Sequence, residues 1–119
     1  MKVSDLEVYS KAYGLAISIY EYAKTMPKDE RYELTSQIRR AATSIPINIA
    51  EGYGKKESQQ ELKRYLMIAK GSSAEMQVLL DICKDLGYME EKHHKVYRER
   101  YEEVSKMLTG MIKTIGKRV

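Results

Sequence analysis

Residues 58–87 read SQQELKRYLMIAKGSSAEMQVLLDICKDLG, and this stretch decides the fold. Leu62, Tyr65, Leu66, Ala69, Ser73, Met76, Leu80, Cys83 and Leu86 recur at the alternating short spacings of one helix face, which predicts a long helix with a buried seam. Ser58 and Glu61 stand as an S-x-x-E capping box at its start, and Gly87 supplies a left-handed stop. The rest of the chain is read for what covers that seam.

Toward the N-terminus, a helix from about Glu30 carries Leu34, Ile38, Ala41, Ala42, Ile45 and Ile49 on one side, with Gly52 and Gly54 expected as its left-handed cap. Pro46 lies inside it. A proline there removes one backbone hydrogen bond and crowds the preceding turn, which predicts a kink near residues 43–46. Before that, Ser4 and Glu7 form another capping box, and Pro27 closes the helix they open. This first helix carries two apolar stripes. Leu6, Tyr9, Tyr13, Ala16, Tyr20 and Ala23 are read as its core face, and Val8, Ala12, Leu15, Ile19, Tyr22 and Met26 as a second stripe beside it. So wide an apolar face predicts either a thick core or an additional neighbour, with Val8, Leu15 and Ile19 then in an oligomer interface. Toward the C-terminus, Tyr97, Tyr101, Val104, Leu108, Met111 and Ile115 define a helix from about Glu90 to Gly116. Four such segments with short connections predict one all-α domain over residues 1–119, an antiparallel up-down-up-down four-helix bundle.

Composition agrees with packed helices. The 119 residues are 43% hydrophobic and 32% charged, with two prolines and seven glycines, a balance unlike that of disordered or all-β chains. A net charge of +4 favours anionic partners only mildly, since 17 acidic residues stand against 21 basic ones. The single cysteine, Cys83, has no partner for an internal disulfide, which fits a reducing, cytoplasmic setting. There is no signal-like N-terminal segment, and no apolar run approaches the roughly 20 residues that span a bilayer, so no membrane association is expected.

Catalytic chemistry finds little to work with. His93 and His94 are adjacent, so on a helix they point about 100° apart and do not form the i, i+4 pair that grips one ion. Cys83 sits on an apolar stripe and reads as an inert buried thiol. Gly52-Tyr53-Gly54-Lys55-Lys56 follows a helix instead of a strand and lacks phosphate-loop spacing. No enzyme activity, metal or cofactor is expected.

Two surfaces offer binding instead. Lys63, Lys70 and Lys84 keep a heptad spacing with Arg64 beside them, Lys106 and Lys113 repeat likewise, and no acidic residue occurs from Val104 onward, where Lys117 and Arg118 follow. With Lys55 and Lys56 these are the candidate contacts to RNA or DNA phosphates. The rival reading is protein–protein assembly through Met67, Gly71, Ala74 and Val78, small or flexible residues on one stripe. Separately, Arg40, Ser44, Asn48 and Glu51 share a helix face and are expected as a structural polar network, either a local one at the surface or one with Arg40 and Glu51 partly buried between helices.

The segment Ser44-Ile45-Pro46-Ile47-Asn48-Ile49-Ala50-Glu51-Gly52 resembles that of the four-helix-bundle proteins encoded by intervening sequences in bacterial 23S rRNA genes. The resemblance extends through Asp5-Leu6-Glu7-Val8-Tyr9, Pro27, Gln37, Arg39, Arg40, Ala69-Lys70-Gly71-Ser72-Ser73-Ala74-Glu75 and Leu86-Gly87-Tyr88. Tyr9 stands where the family often has tryptophan, and Met26 and Leu62 where it often has phenylalanine. The resemblance implies a ring-like homopentamer without established enzymatic activity. A related branch, the accessory protein of diversity-generating retroelements, partners a reverse transcriptase and its RNA template through a basic surface.

Overall fold

A computed structural model of the chain describes the backbone of residues 2–27 and 32–118 and the side chains of residues 2–27 and 33–115. After a 3-10 turn at Val3–Asp5 come four helices: α1 (Glu7–Ala23), α2 (Tyr32–Gly54), α3 (Gln59–Asp85) and α4 (Glu91–Arg118). No strand occurs among the described residues. The expected start of α2 at Glu30 lies outside them.

Each helix packs against its neighbours in sequence, and α1 returns to α4. Lys11 meets Glu103 at 3.0 Å, while Ser18, further along α1, bonds to Tyr97, earlier on α4. The same reversal holds for Gln37 with Glu75 and Ser44 with Ser72 across α2 and α3, and for Ser73 with Ser105 and Asp81 with His94 across α3 and α4. These neighbours therefore run antiparallel. The resulting bundle measures 48 × 21 × 20 Å.

The helix ends follow the sequence in α3 and depart from it elsewhere. At the start of α3 the Glu61 amide donates to Ser58 Oγ at 3.2 Å. At its end Gly87 takes φ +79°, so its N–H reaches the Lys84 carbonyl at 3.0 Å and the Tyr88 N–H reaches the Cys83 carbonyl at 2.8 Å. Gly87 is the one described residue with positive φ, so Gly52 and Gly54 do not form the expected left-handed cap. Gly52 lies within α2, where a Cβ would stand 3.0 Å from Tyr65 Cβ, and its absence lets α2 approach α3. Nor does Gly116 stop α4, which continues to Arg118. The capping box expected at Ser4 is not formed. Val3 and Leu6 pack against the core and draw the chain into a turn, so α1 begins at Glu7 behind Leu6, which offers no side-chain acceptor. α1 ends at Ala23, before Pro27 is reached.

α2 remains helical through Pro46. Pro46 offers no N–H to the Ala42 carbonyl, and Thr43 Oγ1 donates to the Arg39 carbonyl at 2.9 Å, a back-bond that often accompanies helix bending.

One continuous core fills the bundle, with Ile19, Ile38, Ile45, Ile49, Leu66, Met76, Leu80, Tyr101 and Leu108 sealed from solvent. In the N-terminal segment the second stripe takes the deepest positions, and of the stripe expected as the core face Ala16 and Ala23 are buried, Leu6 and Tyr9 pack against the core, and Tyr13 and Tyr20 face outward. Val8, Ala12, Leu15, Ile19 and Met26 are buried together with Ala16 and Ala23, while Tyr13 is 53% and Tyr20 38% exposed. Branched aliphatic side chains lose nothing by leaving water, whereas Tyr13 and Tyr20 keep their hydroxyls hydrated at the surface, so the aliphatic stripe takes the interior. Val8, Leu15 and Ile19 are thus used up inside their own bundle and cannot form the oligomer surface expected of them. Leu86, expected in the α3 seam, is likewise on the surface.

Candidate functional site

The polar cluster on α2 is smaller than its sequence suggested. Ser44 Oγ and Ser72 Oγ share a hydrogen bond of 2.9 Å across the α2–α3 seam, and Asn48 Nδ2 donates to the Ser44 carbonyl at 2.8 Å and to its Oγ at 3.0 Å. Arg40 and Glu51 are exposed instead of partly buried and do not pair with each other. Eleven residues at about 1.5 Å each separate them by roughly 16 Å along a straight helix, too far for a direct ion pair. The cluster that forms joins two helices.

The basic residues divide into three groups. At the α2–α3 connection, Lys55 Nζ donates to Tyr65 Oη at 3.3 Å and lies 5.0 Å above that ring, while Arg64 stacks on the same ring at 4.4 Å. Lys56 Nζ lies 4.2 Å above the Tyr53 ring. The Tyr65 hydroxyl raises the pKa of Lys55, and hydrogen bonding between Arg64 and Glu61 holds the Glu61 carboxyl below its ordinary value. Lys63 and Lys70 are exposed along α3, and Lys84, further along it, is half-buried 3.9 Å from Asp85. Lys106 and Lys113 are exposed on α4, and the side chains of Lys117 and Arg118 lie outside the described residues. These cations can hold phosphates but present no arrangement that distinguishes bases.

The apolar surface is more continuous. Met67 and Val78 are 55% and 58% exposed, with Gly71 and Ala74 exposed between them on the outward side of α3. Ile82, missed from sequence, extends this stripe, and its position four residues after Val78 was the available signal. Tyr13, Ile17 and Tyr20 on α1 and Ile47 on α2 are further exposed apolar residues, and Arg39 lies 5.2 Å over the Tyr20 ring. Ile17 too was missed, because it falls between the two stripes read on α1.

Groups that catalysis might recruit are held in structural contacts. Cys83 is fully buried, which pushes its thiol up to about 11. His94 Nε2 bonds to Asp81 Oδ1 at 2.7 Å, with Arg98 Nε 3.4 Å from the same oxygen. His93 instead stands edge-on to Tyr22 at 5.2 Å, so the two histidines serve different neighbours. Among the described residues no group of three or more His, Cys, Asp or Glu side chains could hold a metal, and no helix is long and apolar enough to cross a membrane.

These elements and their packing define an all-α four-helix bundle. The chain belongs to the 23S rRNA-intervening sequence protein family, whose profile matches residues 4–110. Among solved structures it is similar to a protein of unknown function from the S23 ribosomal protein family of Bacteroides thetaiotaomicron VPI-5482. That likeness has a TM-score of 0.82 at 24% identity, covers 89% of this chain and 95% of the other, and establishes the fold. No curated protein matches the chain.

Proposed function

We propose that the chain is a non-enzymatic subunit of a cytoplasmic homo-oligomer. The observation that carries this reading is the α3 stripe of Met67, Gly71, Ala74 and Val78, where an outward helix face meets water with apolar atoms. Fully burying a side chain of the Val or Met size is worth roughly 1.5–3 kcal/mol, and Gly71 and Ala74 would let a partner helix approach closely. Tyr13, Ile17, Tyr20 and Ile47 are exposed on other helices, α1 and α2. Two unlike patches on one chain suit head-to-tail contacts, which close into a ring where the rotation closes, and five subunits are what the family resemblance implies. Sedimentation velocity at micromolar concentration is expected to return a mass several times that of one chain. Met67→Lys with Val78→Lys should shift it to the monomer.

A second reading rests on the exposed Lys55, Lys56, Lys63, Lys70, Lys106 and Lys113. Repeated around a ring, they would give a basic surface for RNA, DNA or an enzyme that handles them, with affinity falling steeply as salt rises. Fluorescence anisotropy with a labelled RNA tests it. Absence of binding at low salt would leave assembly through apolar surfaces as the whole function.

A further inference from the structure

Neither α3 from Leu62 to Ala74 nor α4 from Val104 to Ile115 contains an acidic residue. The fold lays these two stretches side by side, because Ser73 Oγ meets Ser105 Oγ at 2.7 Å and the antiparallel helices lead from that contact to the same end of the bundle. Each stretch carries lysines seven residues apart, Lys63 and Lys70 on α3 and Lys106 and Lys113 on α4, a spacing of about 10.5 Å along a straight helix.

The four lysines flank the outer side of the seam. Lys63 and Lys70 keep heptad spacing with Gln77, whose Nε2 donates to Ser105 Oγ at 3.3 Å, so they stand on the side of α3 that faces α4. On α4, Val104 is buried, Ser105 bonds to α3 and Lys106 is exposed, so the helix turns from core to seam to open surface over three residues. Lys113 repeats Lys106 two turns on. All four are exposed, and none pairs with a carboxylate among the described residues.

The surrounding carboxylates are engaged elsewhere or stop at the boundary. Glu61 is held by Arg64 at 2.9 Å, and Glu7 and Glu103 flank Lys11 of α1 at 3.8 and 3.0 Å. Glu51 and Glu57 belong to α2 and its connection to α3, beside Lys55 and Lys56. Glu102 stands one turn before Lys106 without pairing with it, so acid bounds the seam and does not neutralise it.

A lysine ammonium is a point charge that holds phosphate without reading bases. Tyr65, the aromatic residue within these stretches, is turned to Lys55 and Arg64, which leaves the seam no ring on which an unpaired base could stack. A duplex also presents a denser array of phosphates than a single strand.

We propose that the α3–α4 seam binds the phosphodiester backbone of a double-stranded nucleic acid, with Lys63 and Lys70 on one side and Lys106 and Lys113 on the other. The placement rests on the nucleic-acid reading and narrows it, since Lys55 and Lys56 are left outside the contact.

Fluorescence anisotropy of the full chain with a short labelled duplex, once as RNA and once as DNA, beside the matching single strands, tests the placement across a salt series. Duplex is expected to bind more tightly than single strand, with affinity falling as salt rises, and the tighter of the two duplexes identifies the one the seam serves. Lys70→Gln with Lys106→Gln, in a variant whose helicity and melting match the parent, should weaken duplex binding at least about tenfold and flatten its salt dependence. Lys55→Gln with Lys56→Gln should change it less than about twofold. No binding of any strand at low salt would overturn the nucleic-acid reading itself. Duplex binding undiminished by Lys70→Gln with Lys106→Gln, or lost equally with Lys55→Gln and Lys56→Gln, would overturn the seam alone, as would a single strand that binds as tightly as the duplexes.

Discussion

A Cβ on residue 52 would stand 3.0 Å from the Tyr65 Cβ and 3.3 Å from the Leu62 carbonyl oxygen, so α2 and α3 meet there because Gly52 lacks one. Gly52→Ala should gain about 1 kcal/mol of helix propensity and lose about 1–3 kcal/mol to overpacking, a net destabilisation readable by urea unfolding. Gly14→Ala, with nothing within 4 Å of the added atom, should show the gain alone. Sequence marked Gly52 as a cap because a glycine at the end of a periodic run looks the same whether it turns the chain or admits a neighbour. Cys83 was legible, since its place on an apolar stripe implied burial. Its thiol rises from an ordinary 9.0 to about 11 in the fold, so the unfolded chain ionises first. The contribution is therefore intact below pH 9 and is lost as pH climbs through 11. Two pKa units correspond to about 3 kcal/mol, and the alkaline fall in stability should be shallower in Cys83→Ala.

At the scale of elements, four helices were legible because periodicity is a property of many residues at once, while their ends depend on one or two. Ser58 and Ser4 each precede a glutamate by three positions, yet only Ser58 accepts an amide hydrogen bond, at 3.2 Å. Ser58→Ala should cost about 1 kcal/mol in unfolding experiments, and Ser4→Ala a few tenths at most. The outward turn of Tyr13 and Tyr20 on α1 has a similar origin. Alanines fit either face, so the choice fell to the hydration of tyrosine hydroxyls, which a count of apolar residues does not register. The Arg40 to Glu51 expectation failed on length along the axis, because residues that share a helix face can still be three turns apart.

For the whole molecule, the sequence offered surplus apolar surface in two places, the second stripe of α1 and the α3 stripe of Met67, Gly71, Ala74 and Val78, and the α3 stripe is the one that is exposed. Val8, Leu15 and Ile19 fill the bundle's own core, and the surplus appears as the outward stripe of α3 and the tyrosine-lined patch on α1. The proposed assembly of several copies rests on these two exposed surfaces. The basic residues fit that arrangement, since exposed lysines repeated by symmetry would strengthen a weak attraction for phosphates. Sedimentation velocity of the unmodified chain beside Met67→Lys, Val78→Lys tests the central claim most directly. A multimer of the parent that becomes a folded, helical monomer in the variant is the predicted result, and a parent that sediments as a monomer at micromolar concentration would contradict it.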